Sequence, residues 1–224
     1  KKLRKQSGEL IEKNTLIKKS LNEKELIIKE MHHRVKNNFQ LITSLLELQA
    51  EDIENHNAIE LLEKGKSRIK SMSLIHQKLY GCKSGLIKFD EFIDLLVKEL
   101  TFLYKYDDNI NLEINVNEVY FDIDTAIPLA LILNELITNS LKYAFKDQAE
   151  NQLQISLVKT FNQNYQLIVK DNGPGINQGF NIDKLKSSGL KLVKRLVRQL
   201  QGDLLLKNES GAKFQILFKD TKTR

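Results

Sequence analysis

Residues 1 to about 54 hold no proline and a single glycine, and their apolar residues recur at helical intervals. Leu3, Leu10, Ile17 and Met31 share one seven-residue seam, interrupted by Lys24, and Leu21, Ile28 and Val35 make a second. About five heptads of this pattern describe a helix that pairs with another helix. Phe39, Leu41, Ile42, Leu45, Leu46 and Leu48 then broaden the stripe to the width that a helix bundle uses.

Glu51 to Asn57 is polar and turn-like, and from Ala58 to about Tyr80 the helical pattern resumes through Leu61, Leu62, Ile69, Met72, Ile75 and Leu79. A single hairpin cannot bury both apolar faces, so a homodimer closing a four-helix bundle is expected. Gly81 to Gly85 reads as a stop and linker. Beyond it the pattern gives a helix over Phe89 to Tyr104, a strand over Asn109 to Val116, and a helix from Leu129 to Ala144 with Pro128 in its first turn. Leu153 to Val158 and Tyr165 to Val169 read as antiparallel strands around Asn162-Gln163-Asn164. A basic amphipathic helix over Leu190 to Leu200 precedes strands at Asp203 to Lys207 and Lys213 to Phe218. The class is therefore α+β.

Composition narrows the function. The 41% apolar content suits a folded chain of 224 residues. The 35 basic and 29 acidic residues leave +6, but the signs are interleaved, so the charges read as solvated helix faces and no nucleic-acid partner is expected. Cys82 has no second cysteine to pair with and fits a reducing compartment. No run of about 20 apolar residues and no secretory signal is present. The expectation is a cytoplasmic protein or the cytoplasmic part of a membrane-bound sensor, since the helical pattern is already running at Lys1.

Four polar strings carry the chemistry. Glu30-Met31-His32-His33-Arg34-Val35-Lys36-Asn37-Asn38 places two histidines about 100° apart around one helix, so they cannot share a role. Asn134, Glu135 and Asn139 sit on a mostly apolar helix, where positions 135 and 139 share a face. Unpaired buried polar groups cost roughly 1–3 kcal/mol, so these need partners: a metal with its phosphates, or a neighbouring loop. An amide oxygen completed by phosphates and waters suits Mg²⁺. Asp171-Asn172-Gly173-Pro174-Gly175 ends a strand with a carboxylate able to accept from an exocyclic amine, next to glycines that let backbone approach a ligand. Ser187-Ser188-Gly189-Leu190 opens the basic helix, whose N-terminal amides attract phosphate.

In this order and spacing the strings resemble the histidine-kinase branch of the proteins sharing the ATP-binding (Bergerat) fold of gyrase, Hsp90 and MutL. Asn134 to Asn139 is similar to the N box, Asp171 to Gly175 to the first glycine box and Ser187 to Leu192 to the second, where Ser187 and Lys191 replace glycines. His32 to Asn38 resembles the phosphoacceptor box of sensor kinases related to the HWE subfamily. The resemblance implies an N-terminal hairpin forming a dimeric four-helix bundle and a C-terminal α/β-sandwich ATP domain. The expected limits are a signal-transmitting coiled coil over 1–24, a dimerisation and phosphotransfer domain over 25–82, and a catalytic domain over 83–224.

Carried over by position, the resemblance makes Asn139 the Mg²⁺ ligand, Asp171 the adenine anchor, and Gly173, Gly175 and Gly189 the lid and its hinges. Glu135 and Asn134 would support metal, water or phosphate, Lys142 and Tyr143 would approach the nucleotide, and Ser188 and Leu190 would flank the phosphate loop. Phe180 is the candidate phenylalanine box. His33 is the expected phosphoacceptor because Asn37 follows one turn later, matching H-x-x-x-N/T, whereas His32 has Lys36 there. Arg34 stands where related kinases carry an acid, so Glu30 is the candidate to orient the ring or take its proton, and Asn37 could position water for dephosphorylation. His56 and His76 read as structural or surface residues. The implied activity is a two-component histidine kinase that uses ATP and Mg²⁺, receives its input from an upstream sensor domain and passes phosphate to a response-regulator receiver aspartate. The rivals are a non-catalytic dimeric phosphotransfer scaffold with a worn ATP site and a kinase for serine on a partner.

Overall fold

The computed structural model describes residues 2–51, 53–81, 85–104, 106, 110–116, 118–145, 150–160, 164–176 and 188–220. Helices α1 (Lys2–Glu51) and α2 (His56–Gly81) form the expected hairpin. They run antiparallel in a fixed register: Glu47 bridges Lys66 at 3.4 Å, and the rings of Phe39 and His76 lie 5.6 Å apart. Asn55 turns the loop, its side-chain oxygen accepting from the amides of Asn57 and Ala58. This packing uses one side of α1, and Leu41, Ile42, Leu45 and Leu48 remain exposed on it.

The rest is a two-layer α/β unit. Strand β1 (Ile87–Lys88) leads into α3 (Phe89–Leu103) and pairs with β3 (Tyr120–Phe121) in a two-stranded ribbon. The main sheet runs β2 (Ile110–Val116), β4 (Asn151–Lys159), β5 (Asn164–Asp171), β7 (Ala212–Lys219), β6 (Asp203–Asn208) in spatial order. Only β2 and β4 are parallel; every other neighbour is antiparallel. Side-chain alternation gives each central strand one buried face. Leu153, Ile155 and Leu157 on β4, Tyr165, Leu167 and Val169 on β5, and Phe214, Ile216 and Phe218 on β7 form that face in register. Phe121 closes one end, edge-on to Phe89 at 5.3 Å and to Tyr165 at 4.9 Å.

Helix α4 (Ile123–Asn139) is the central helix of the layer, buried on almost every side between the sheet, α2, α3 and α5 (Ser188–Gln199). It starts earlier than the sequence pattern suggests. Asp122 is the N-cap, accepting from the Thr125 amide at 3.1 Å, and so Pro128 lies inside the helix, where it removes the bond that would reach the Asp124 carbonyl. The far end also differs from a plain helix, because Ser140–Ala144 widens into a π turn. The two short strands β1 and β3 and this π turn are additions to the expected order. The turn residues Asn162 and Gln163, Asn109 at the start of the expected strand, Cys82, Ser187 and Phe180 lie outside the described residues.

Candidate active site

Asp171 occupies the last buried-face position of β5, two residues beyond Val169, so strand parity carries a carboxylate into the layer between sheet and helices. It is 6% exposed and well held. Its Oδ1 accepts from the amides of Gly173 and Ala212, both at 3.0 Å, and its Oδ2 accepts from the Ser140 hydroxyl at 2.9 Å. The π turn supplies that hydroxyl and packs against the glycine turn. A Cβ on Gly173 would lie 2.5 Å from the Ala144 Cβ and 2.6 Å from its Cα, which is why only glycine fits there. Gly175 has φ +74°, and the Asn208 side chain braces the next residue by accepting from the Ile176 amide at 2.9 Å. Asn172 points away, pairing with the Gln152 amide and the Glu150 carbonyl at the start of β4.

A cavity of about 240 Å³ opens beside this carboxylate. Glu135, Asn139, Tyr143, Asp171, Gly175, Gly189 and Leu190 line it, with Ala144, Pro174, Ile176, Ala212 and Phe214 supplying apolar walls. One residue of the helical hairpin, Lys64, lines it as well. Glu135 and Gly189 touch: a Cβ at position 189 would collide with a Glu135 carboxylate oxygen, so any larger residue there would displace that carboxylate.

Other expected site residues lie elsewhere. Asn134 is buried and turned from the cavity, its Oδ1 accepting from Ser67 at 2.7 Å and Ser71 at 2.9 Å on α2. Lys142 bridges Glu60 of α2 at 3.2 Å and lies 5.6 Å over the Tyr104 ring. Burial pushes the Tyr104 phenol up from its ordinary value. Gly173 and Ser188 adjoin cavity-lining residues without lining it themselves, and Ser188 is exposed. On α1, His33 and Asn37 are exposed, and the Glu30 carboxylate is engaged by Arg34 at 2.9 Å. The side chain of His32 lies outside the described residues.

The hairpin register sets His33 apart from the cavity. Pairs that join 47 to 66 and 39 to 76 put His33 level with the last residues of α2. Lys64 to Gly81 spans about 25 Å at the helical rise per residue.

Glu60, Lys64, Ser67, Arg68 and Ser71 form the α2 face that meets α4 and the π turn. Arg68 donates to Glu135 through Nε at 2.7 Å and Nη2 at 3.0 Å. Hydrogen bonding to Glu135, opposed by burial, raises the Arg68 guanidinium above its ordinary value. None of these five residues stood out in the sequence, where polar positions on an amphipathic helix read as solvent-facing. The available signal was their spacing, which repeats one helical face.

A mixed sheet with a carboxylate at one strand end, a glycine turn, and an acid–amide pair on the covering helix defines an ATP-binding domain of the gyrase and Hsp90 type. Residues 124–222 match the family described as histidine kinase-, DNA gyrase B- and HSP90-like ATPase, and residues 30–104 match a family described as histidine kinase. The chain belongs to the histidine kinases. It is 32% identical over 188 residues to the sensor histidine kinase PdtaS of Mycobacterium tuberculosis, covering 83% of this chain and 37% of that protein. Blue-light-activated histidine kinase 2 of Erythrobacter litoralis is 24% identical over 179 residues, 78% of this chain and 51% of that protein. The chain thus spans well under half the length of the mycobacterial relative. In fold it resembles the solved Erythrobacter litoralis blue-light activated histidine kinase, with a TM-score of 0.70 at 18% identity over 88% of this chain and 62% of that one.

Proposed function

We propose that this chain moves the γ-phosphoryl group of ATP to His33 and hands it to an aspartate of a response-regulator receiver domain. The single observation that carries the reading is one cavity bounded by Glu135, Asn139, Asp171, Gly175 and Gly189. Its apolar walls suit a purine ring, and Asp171 at their edge can accept from the exocyclic amine. Among the described residues no group of three or more His, Cys, Asp or Glu could hold a metal. A cation here would be held by the Asn139 amide oxygen together with the phosphate oxygens of the nucleotide, which fits Mg²⁺. Bound there, Mg²⁺ supplies charge neutralisation across the phosphates.

The chain's own groups do the rest. The imidazole at position 33 is the nucleophile, and the next residue, Arg34, is tied to Glu30 at 2.9 Å. Asn37 stands one turn on, where it can position water for dephosphorylation. Residues 25–82 act as the dimerisation and phosphotransfer unit, 83–224 as the catalytic unit, and 1–24 as the helix that brings in the signal. Leu41, Ile42, Leu45, Leu48 and Leu61 offer the apolar band through which a second hairpin closes a four-helix bundle on the cytoplasmic side. Among the described residues no helix is long and apolar enough to cross a membrane.

A second reading, a phosphotransfer scaffold without catalysis, draws on Arg68 already occupying the Glu135 carboxylate. Calorimetry with Mg²⁺-ATP separates the two when paired with label transfer to a receiver domain. The kinase reading expects binding that Asp171→Asn weakens at least tenfold, with label reaching the receiver. A folded protein that binds no nucleotide supports the scaffold.

A further inference from the structure

We propose that Lys64, carried by the hairpin and not by the ATP domain, is a nucleotide-binding residue that holds the phosphate end of ATP while α2 is docked on α4. The assignment rests on the ATP reading above and adds a ligand from the other half of the molecule. Three observations lead to it. Lys64 lines the same cavity as Asp171 and Asn139. Its place within the cavity follows from its neighbours: Arg68, one turn further along α2, grips Glu135, and Glu135 touches Gly189 at the start of α5. Lys64 therefore stands on the Glu135 and Gly189 side of the cavity, where α2 meets α4 and the start of α5.

Charge is the third observation. Among the described residues lining the cavity, the carboxylates of Glu135 and Asp171 are opposed by a single cation, Lys64. Glu135 is neutralised by Arg68, which leaves the Lys64 ammonium as the group able to meet a polyphosphate. Its present partner can release it. Glu60 lies 3.0 Å from Lys64 and 3.2 Å from Lys142, so one carboxylate serves two ammonium groups. When phosphate takes Lys64, Lys142 stays paired with Glu60 and no charge is stranded. The Lys64 side chain is 24% exposed, accessible yet close to a low-dielectric wall, where such a contact is stronger than in bulk water.

The test is equilibrium binding to the full chain with Mg²⁺ present, by calorimetry for ATP and by NMR titration for AMP. Lys64→Met, which keeps the aliphatic stem, is expected to weaken ATP about tenfold, the size of one charge-assisted contact. AMP, lacking the outer phosphates, should change by less than about twofold, and Lys64→Arg should restore most of the ATP affinity. Equal ATP affinity in wild type and Lys64→Met overturns the assignment. So does an equal loss for ATP and AMP, which would mark a general pocket defect. A wild-type chain that binds neither nucleotide removes the ATP reading itself, and that outcome is distinct from the other two.

Discussion

Arg68 on the hairpin and Glu135 on the central helix of the ATP domain form a two-pronged ion pair, with Nε–Oε1 at 2.7 Å and Nη2–Oε2 at 3.0 Å. The Glu135 side chain is 6% exposed and that of Arg68 26%, so most of this contact is made away from water. It joins the two halves of the molecule at a residue that lines the cavity. The Arg68→Met change leaves a buried carboxylate without its partner. We expect a loss of about 2–3 kcal/mol, less than for a fully buried pair because Arg68 keeps some solvent. Urea unfolding of Arg68→Met, Glu135→Gln and the double variant checks this: the double should be less destabilised than the sum of the singles by about 1 kcal/mol or more.

Ser67 and Ser71 converge on one oxygen of Asn134, so the docked hairpin also depends on a small polar cluster. In this docked arrangement His33 lies about 25 Å along α2 from Lys64. A second hairpin placed by a two-fold axis along the bundle would hold its own histidine at the same level. On the proposed kinase reading, transfer to His33 requires α4 to leave this position on α2. Ser67→Ala with Ser71→Ala removes both hydrogen bonds to the Asn134 oxygen and strands it, which should shift the balance from the docked state by about 1–2 kcal/mol. Initial autophosphorylation rates at saturating ATP should rise roughly 5- to 30-fold, and a fall would contradict a docked resting state.

The Glu60 carboxyl is held below its ordinary value of 4.5, first by the Lys64 hydrogen bond and then by Lys142. A depressed carboxyl contributes stability that is complete above the unfolded value and is lost as pH falls through the lower folded one. Docking of α2 onto the π turn should therefore weaken on acidification below about pH 4.5. Glu60→Gln should flatten that part of the profile by lowering the neutral midpoint toward the acidic one, with no change of slope at neutral and alkaline pH. Urea midpoints measured between about pH 6 and 3 report it, and identical acid slopes in both proteins would refute it.

Much of this architecture could be read from local pattern. The seams Leu3–Met31 and Leu21–Val35 gave α1, and alternation through Tyr165, Leu167 and Val169 gave β5 together with the parity that buries Asp171. Glu135 and Asn139, one turn apart, do share the cavity wall. What local pattern missed depended on partners distant in sequence. Pro128 drew the helix start away from Asp122 because a proline in a first turn is common, while the cap bond to Thr125 leaves a weaker mark. Asn134 looked like a ligand group because its hydrogen-bonding capacity had no local outlet, and Lys142 because the family resemblance set it near the nucleotide, yet Ser67, Ser71 and Glu60 engage them from α2. Strands β1 and β3, two residues each, are too short to show any period.

The measurement that bears most directly on the kinase account is residue-level mapping of label after incubation with γ-labelled ATP. The wild-type chain should carry acid-labile, base-stable phosphate on His33, and His33→Gln should carry none while still binding ATP. Label persisting in His33→Gln at His32, or acid-stable label on serine, would contradict it.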